Sequence, residues 1–294
     1  DRGTAPGLII PAGGDKAIVV LPGPPIEMKP MFQRAVVPYL TGRLGGTPLA
    51  LVSRVLRFID IGESALEDAL RELIARQTDP SIAPYAKTGE VHLRLATKAP
   101  DLQAGMAVIA PVEATIRQQL GHHIYGTDAT TLEDAVGQLL RERGLKLTLA
   151  ESCTGGLIAK RITDVPGSSD YFTMGFATYS NEAKVQFLGV PAATLAEHGA
   201  VSEEAVRAMA EGALARTGAG VALAVSGIAG PSGGTADKPV GTVCFGLAGR
   251  GAGELPAGAW SRTVQLWGSR ADVRERSATQ GLAMIRRYLL GQKI

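Results

Sequence analysis

Short apolar runs and amphipathic stretches alternate along the chain from Thr131 to the C-terminus. Continuous apolar runs predict buried strands, whereas apolar residues spaced three and four apart predict helices. Strands are expected at residues 145–150, 172–178, 221–225, 240–248 and 261–266, and helices at 155–162, 181–188, 202–215 and 271–289. Another helix opens at Thr131-Leu132-Glu133-Asp134, a capping-box-like sequence, and ends at Gly144. The alternation is typical of a three-layer α/β/α sandwich with a largely parallel sheet.

Two smaller regions precede this part of the chain. The pattern predicts a strand at residues 17–21, a turn at Pro22-Gly23-Pro24-Pro25 and a helix at residues 26–40. After a Gly-rich linker at 41–46, a small α+β unit follows, with strands at 49–59 and 91–97 and helices at 63–77 and 106–120. We therefore predict three domains, at residues 1–44, 45–125 and 126–294.

Composition limits the classes of protein that need to be considered. Of the 294 residues, 45% are hydrophobic and 20% are charged, as in ordinary globular proteins. The net charge of +2 and the lack of a basic run interleaved with aromatic residues give no reason to expect a nucleic-acid partner. The two cysteines, Cys153 and Cys244, form no CxxC pair. This cysteine usage fits a reducing cytoplasm, so a cytoplasmic protein is expected. No apolar stretch is long enough to cross a bilayer, so no membrane partner is expected.

A serine lies where a buried strand gives way to a helix, in the sequence Ala150-Glu151-Ser152-Cys153-Thr154-Gly155-Gly156. The first N–H groups of a helix have no intrahelical partner and can stabilise an anion. Backbone amides of Thr154, Gly155 or Gly227 are therefore candidate donors to an oxyanion that forms beside Ser152. This arrangement suits acyl transfer.

Lys184 is the candidate base. Asn181 is a natural N-cap for the helix that ends at Gly189, which would place Lys184 in the first turn. The positive end of the helix dipole and burial in a cleft both favour the neutral amine. Without a lowered pKa, a lysine carries too little free amine near neutral pH to accept a proton.

The residues in this part of the chain resemble the C-terminal domain of the CinA family. The matching blocks, in chain order, are AESCTGG, GSSDYF, TYSNEAK, HGAVS, VSGIAGPSGG and KPVGTV. The resemblance covers about Thr131 to Ile294. It implies a nicotinamide-nucleotide amidohydrolase, which converts nicotinamide mononucleotide to nicotinate mononucleotide and ammonia. The catalytic serine, tyrosine and lysine proposed for that family fall on Ser152, Tyr179 and Lys184.

The upstream regions resemble other parts of the same family. Residues 1–44 resemble the end of a molybdopterin-binding-like domain, and residues 45–125 resemble a KH-type domain. Because most of the first domain is missing, the ADP-ribose pyrophosphatase activity associated with it is expected to be absent or impaired. From Leu49 to Leu120 there is no Gly-x-x-Gly loop, which a working KH domain uses to clamp nucleic acid. A spacer or dimerisation role is therefore favoured, and a homodimer is expected.

Each candidate catalytic residue also has an ordinary structural interpretation. Ser152 could simply cap a helix, Lys184 could be a solvated helix residue, and Tyr179 could be a half-buried aromatic at a strand end. Cys153 competes with Ser152 as the nucleophile, since a thiolate at a helix N-terminus is activated. The four histidines (His92, His122, His123 and His198) form no HxH or HExxH motif, so we expect neither a metal site nor a cofactor.

The remaining candidates bind substrate. The loop Ser226-Gly227-Ile228-Ala229-Gly230 follows an apolar strand, and its glycines let main-chain amides approach a phosphate or an oxyanion closely. A flexible surface turn is the alternative. We assign Ser226, Gly227 and Gly230, with Thr154, Gly155 and Gly156, to the substrate site, and residues 231–238 to a lid. Arg270 is expected to bind the 5′-phosphate, unless it is only a surface arginine at a helix start.

The leading hypothesis is a serine–lysine amidohydrolase acting on nicotinamide mononucleotide. Ser152 attacks the carboxamide, Lys184 accepts and returns the proton, and Tyr179 orients or relays it. The alternative is a non-catalytic regulatory protein of competence or DNA damage that binds a nucleotide without turning it over.

Overall fold

The computed structural model describes residues 5–14, 16–43 and 49–294. The chain divides into two compact units, one of residues 1–53 and 96–112, the other of residues 54–95 and 113–294. Residues 41–43 of the predicted linker are the last residues of a helix, so the linker prediction is wrong there, and residues 44–46 lie outside the described residues. The three predicted domain boundaries stay a prediction.

The first elements are a hairpin and a broken helix. Strands β1 (Leu8–Pro11) and β2 (Ala17–Val20) pair antiparallel. Helix α1 (Pro25–Met31) has proline at its first position, where no N–H is needed. A π-helical stretch, Phe32–Val36, separates it from α2 (Val37–Arg43). The predicted strand and helix are present, and the helix changes its winding just after Pro30, which cannot donate a main-chain hydrogen bond.

A four-stranded sheet with three helices follows. Its elements are β3 (Ala50–Phe58), α3 (Glu63–Ala69), α4 (Arg71–Ala75), β4 (Ser81–Lys87), β5 (Glu90–Ala99), α5 (Leu102–Leu120) and β6 (Ile124–Thr127). The strand order is β4-β5-β3-β6. The sequence pattern missed β4, since its sequence SIAPYAK contains a proline and shows no clear alternation. The predicted helix at 63–77 is two helices that meet at Leu70.

The third region is built on a five-stranded sheet with the order β11-β10-β9-β7-β8. Its elements are α6 (Leu132–Glu142), β7 (Leu147–Glu151), α7 (Leu157–Thr163), β8 (Phe172–Ala177), α8 (Asn181–Leu188), α9 (Ala192–His198), α10 (Glu203–Thr217), β9 (Val221–Gly227), β10 (Thr242–Ala252), β11 (Leu255–Gln265) and α11 (Arg270–Leu289). β7 is parallel to β8 and β9, whereas β10 is antiparallel to both of its neighbours. The predicted capping box at Thr131 is present.

Side chains that alternate along β9 show how the sheet acquires a helical layer on each face. Val221, Leu223 and Val225 belong to an apolar cluster with residues of α6, α7 and α11. Ala222 and Ala224 belong to a second cluster, on the other face, with residues of α8, α9 and α10. Alternate residues of a strand point to opposite faces, so a fully apolar strand fills both clusters. The predicted α/β/α sandwich is confirmed.

No helix in the described part of the chain is both long enough and apolar enough to cross a membrane.

Helix α10 lies close to the sheet because the sheet residue beneath it is glycine. A Cβ atom on Gly246 would lie 2.3 Å from the main-chain oxygen of Val206. We expect Gly246→Ala to lower the free energy of unfolding by about 1–3 kcal/mol, since a helix backbone must shift to admit the methyl group. Urea denaturation followed by circular dichroism measures the change. Gly121→Ala is the matched control, because its Cβ would have no neighbour within 4 Å. Equal effects of the two substitutions would contradict the close approach of α10.

Candidate active site

The candidate residues meet at one edge of the five-stranded sheet. Glu151, the last residue of β7, pairs with Ala177 of β8 on one side and Val225 of β9 on the other. The three strands are parallel, so the residues that follow them emerge together at their carboxyl ends. Ser152 and Thr178 directly follow β7 and β8, and Ser226 is the residue after Val225, one position before the end of β9. Ser152 is fixed further by its N–H, which donates to the carbonyl oxygen of Val225 at 2.9 Å.

Lys184 lies beside Ser152. Its Nζ is 3.3 Å from the hydroxyl oxygen of Ser152, and the lysine side chain is only 1% exposed. The same Nζ contacts the main-chain oxygens of Thr178 at 2.9 Å, Tyr179 at 3.3 Å and Ser180 at 3.4 Å. The chain between β8 and α8 therefore curves around the Lys184 amine, and the Ser152 hydroxyl is the fourth oxygen that contacts this amine.

Burial lowers the pKa of Lys184 below its ordinary value of 10.5, while the neighbouring Cys153 and Glu182 act in the opposite direction. A neutral amine has two N–H donors and one lone pair. It can donate to two of the three carbonyl oxygens and accept the Ser152 hydroxyl proton with its lone pair. The surroundings of Lys184 therefore suit a general base.

The cap of helix α8 differs from the prediction. Ser180, not Asn181, is the N-cap: it is extended, with φ −87° and ψ 164°, and its hydroxyl accepts the N–H of Ala183 at 3.1 Å. Asn181 is the first helical residue, so Lys184 lies at the end of the first turn, where the helix dipole is weak. The lowered pKa of Lys184 follows from burial. The helix ends at Gly189 as predicted, with φ 70°.

Cys153 is a poor nucleophile here. It is 5% exposed, and burial raises the pKa of its thiol to about 12. A cysteine attacks as the thiolate, and this one stays protonated near neutral pH. Of the two adjacent candidates, Ser152 is half-buried and is the one that contacts Lys184.

Tyr179 and Arg270 contact each other rather than Ser152. The Tyr179 side chain is 62% exposed, not half-buried, and its hydroxyl accepts a hydrogen bond from Arg270 at 3.0 Å. Arg270 also donates to the main-chain oxygen of Gly230 at 2.8 Å. It is the first residue of α11, whose N-terminus is closed by a capping box between Ser269 and Asp272. The structure thus joins Arg270, Tyr179 and the Gly-rich loop, and only the main chain of Tyr179 touches Lys184.

A carboxylate occupies the N-terminus of helix α7, contrary to our expectation of free N–H groups. The side chain of Glu151 accepts the N–H groups of Gly156 at 3.0 Å, Ile158 at 3.1 Å and Ala159 at 2.8 Å. Glu151 is 2% exposed. Because a buried carboxylate already satisfies this helix end, the first-turn N–H groups of α7 are not available to an oxyanion.

The turn that carries Ser152 is longer than predicted. Helix α7 starts at Leu157, two residues later than expected, because Gly155 and Gly156 are left-handed, with φ 58° and 91°. The Gly155 N–H donates to the main-chain oxygen of Ser152 at 3.0 Å. Thr154 is fully buried, and its hydroxyl has no hydrogen-bond partner among the described residues. Its main-chain oxygen accepts Arg274 at 2.7 Å, which ties the turn to α11.

The Gly-rich loop lies next to this turn. Ser226 is 1% exposed, so its side chain is covered. Gly227 has no room for a side chain, since a Cβ would lie 2.9 Å from the main-chain oxygen of Thr242. Gly230 is left-handed, with φ 77°. At the end of the predicted lid, Lys238 donates to the main-chain oxygens of His198 at 2.9 Å and Val201 at 2.7 Å, which anchors that end.

Sequence reasoning missed four contributors to this edge of the sheet: Glu151, Thr178, Ser180 and Arg274. The role of Glu151 could have been predicted from the sequence. A charged residue at the end of an apolar strand, just before a glycine-rich turn, needs hydrogen-bond partners when it is buried. Thr178 acts through its main-chain oxygen, Ser180 through its main-chain oxygen and a cap, and Arg274 through a side-chain contact with a residue distant in sequence, none of which a sequence pattern shows. Among the residues that the structure describes, no group of three or more His, Cys, Asp and Glu side chains could hold a metal ion.

Fold and site together define an α/β/α protein with a serine–lysine pair at the carboxyl edge of its parallel strands. The CinA C-terminal domain family matches residues 129–289, and the KH domain family of the damage-inducible protein CinA matches residues 53–126. The chain belongs to the CinA family, as the sequence motifs predicted.

Relatives and solved structures agree with this assignment. A putative competence-damage inducible protein of Symbiobacterium thermophilum is 66% identical over 99% of this chain and 69% of its own length. A protein of the same name from Caldicellulosiruptor bescii is 46% identical over 98% of this chain and 68% of its own length. The crystal structure of the competence damage-inducible protein A of Klebsiella pneumoniae is 38% identical, with a TM-score of 0.51, over 55% of this chain and 97% of that one.

The carboxylate of Glu151 should stabilise both the fold and the Ser152 turn. We expect Glu151→Gln to lower the free energy of unfolding by about 1–3 kcal/mol, because the amide NH₂ must face a main-chain N–H that now lacks an acceptor. Urea denaturation checks the change, with Glu275→Gln on the exposed part of α11 as the matched control. Equal stabilities of the two variants would show that the three N–H contacts contribute little.

Proposed function

We propose that this protein is a serine amidohydrolase that converts nicotinamide mononucleotide and water to nicotinate mononucleotide and ammonia. The observation that carries the chemistry is the contact between the buried Lys184 amine and the Ser152 hydroxyl, at 3.3 Å. The CinA C-terminal domain match covers both residues. The substrate is the one that the resemblance of the sequence motifs to that domain implies.

The reaction would proceed in two halves. Neutral Lys184 accepts the hydroxyl proton as Ser152 attacks the carboxamide carbon, and then passes it to the departing amide nitrogen, which leaves as ammonia. In the second half a water molecule attacks the acyl-serine ester, Lys184 accepts its proton, and the proton returns to Ser152 as nicotinate mononucleotide is released. This is the Ser-Lys form of nucleophilic catalysis.

The oxyanion is assigned to main-chain donors other than those of α7. The N–H of Gly155 is donated to Ser152, and the N–H of Gly156 is donated to Glu151. Of the three main-chain amides predicted from the sequence as oxyanion donors, two therefore remain: Thr154, on the turn that carries Ser152, and Gly227, at the end of strand β9. A single donor of this kind is worth about 10²–10³-fold in turnover.

Arg270 is assigned to the 5′-phosphate of the substrate. Its guanidinium lies on the exposed side of the site, where it contacts Gly230 and Tyr179. The two contacts hold the side chain in one orientation, and a preoriented guanidinium fork suits bidentate binding of phosphate. Tyr179 then acts by positioning Arg270, which gives it a role at the phosphate rather than in proton relay.

Substitutions at Ser152 and Lys184 test the chemistry. We expect Ser152→Ala to reduce ammonia release by at least about a thousandfold with little change in substrate binding, because the hydroxyl acts only in the chemical step. Lys184→Arg should be nearly as inactive as Lys184→Ala, since arginine keeps a charge but does not give up its proton. Ammonia release is measured by a coupled assay, and binding by calorimetry.

Cys153→Ser is the matched control, because it changes the adjacent nucleophile candidate and should retain activity. Wild-type turnover in Ser152→Ala would exclude Ser152 as the nucleophile. Tight substrate binding by the wild-type protein without any ammonia release would instead favour a regulatory nucleotide-binding protein.

A second prediction concerns the phosphate. Arg270→Ala should reduce kcat/KM for nicotinamide mononucleotide by about ten- to a hundredfold and affect the dephosphorylated riboside much less. The quantity to compare is the ratio of kcat/KM for mononucleotide over riboside, in the wild type and in the variant. An unchanged ratio would mean that the phosphate binds elsewhere and that Arg270 only supports the Gly-rich loop.

A further inference from the structure

A cavity lies in the larger unit, away from Ser152. It has a volume of about 870 Å³ and is lined by the turn between β4 and β5, the segment that follows β3, the end of β11 and one side of α11. None of the residues assigned to the candidate active site lines it. Its volume is in the range of cavities that bind small organic ligands.

Basic side chains outnumber acidic ones in this cavity. Five of the lining residues are lysine or arginine, namely Lys87, Arg262, Arg276, Arg287 and Lys293, and three are acidic, namely Asp60, Glu63 and Glu90. Asp60 is already held by Arg287 through two contacts, at 2.6 Å and 2.7 Å. Glu90 is bonded to Tyr125 and His92. The remaining surplus is positive and attracts an anion.

A tryptophan and an arginine are stacked at the wall of the cavity. The guanidinium of Arg276 lies 3.6 Å from the centre of the Trp267 ring, and Trp267 is 70% exposed. The Nε atoms of Arg276 and Arg262 are buried and have no hydrogen-bond partner among the described residues. Stacking holds the guanidinium plane in place and leaves its N–H edge for an oxyanion.

We propose that this cavity binds a free nucleotide, with its phosphates on Arg276, Arg262 and Lys87 and its base against Trp267. Phosphate oxygens match the guanidinium donors, and aromatic side chains stack readily on bases. The site is separate from the one proposed for nicotinamide mononucleotide and does not depend on that function. The two are joined by the short connection between β11 and α11, which carries Trp267 and leads directly into Arg270, the first residue of α11.

Calorimetric titration of the whole chain with ADP at low ionic strength tests the proposal, with adenosine and inorganic phosphate as partial ligands. ADP should bind saturably, and each partial ligand should bind at least about tenfold more weakly, because each uses only half of the site. Arg276→Gln and Trp267→Ala should each weaken ADP binding by about tenfold or more. Lys87→Gln, at the turn between β4 and β5, should also weaken it, without any change in α11.

Two control variants separate this cavity from other parts of the molecule. Arg143→Gln removes an exposed arginine outside the cavity and should leave ADP binding unchanged. Arg270→Ala should also leave it unchanged, since Arg270 belongs to the other site. The chain has two tryptophans, so the fluorescence of Trp267 is measured in a Trp260→Phe variant. Titration with ADP should change this fluorescence, and the dissociation constant obtained from it should equal the calorimetric one.

Several results would overturn the proposal. One is no saturable heat with ADP, and another is inorganic phosphate binding as tightly as ADP. A loss of binding in Arg270→Ala with none in Arg276→Gln would place ADP in the candidate active site. Tighter binding of a single-stranded oligonucleotide than of ADP, lost in Arg276→Gln, would assign the surface to nucleic acid instead.

Discussion

The buried amine of Lys184 is the constraint around which the site is arranged. An ammonium group cannot be buried without partners, and here three successive main-chain oxygens and one hydroxyl surround it. The segment from Thr178 to Ser180 must curve to supply those oxygens, and this curvature joins the edge strand β8 to helix α8. Removal of the amine would leave several buried acceptors unpaired, at about 1–3 kcal/mol for each group. The same burial that requires these partners also lowers the pKa of Lys184.

Two consecutive residues at the end of strand β7 contact two different helices. Successive residues of a strand point to opposite faces of the sheet. Glu151 therefore faces α7, where it accepts three N–H groups, and Ser152 faces α8 and Lys184. This arrangement places a negative charge at the helix end that would otherwise have offered a positive field to the nucleophile. The N–H groups at the start of α7 are therefore not directed at Ser152.

The sequence predicted the frame of this site better than its details. Alternating apolar and amphipathic segments were enough to place Ser152 and Ser226 at one edge of the sheet, since parallel strands end together. Lys184 followed from its place in the next helix. Three details depend on tertiary contacts: the helix cap at Ser180, the exposure of Tyr179, and the hydrogen bonds from the start of α7 to the Glu151 carboxylate. Strand β4 was missed because its sequence contains Pro84 and lacks a clear alternation of apolar and polar residues. Local patterns carry no information on such contacts.

To act as the base, Lys184 must be neutral while it contacts Ser152. The most direct measurement is NMR titration of its Nζ in protein labelled with ¹⁵N-lysine, with the resonance assigned by its absence in Lys184→Met. We predict a pKa below 10.5, the ordinary lysine value, because burial disfavours the charged form. A pKa at or above that value would show that the three main-chain oxygens hold Lys184 as an ammonium, and would contradict its role as the base.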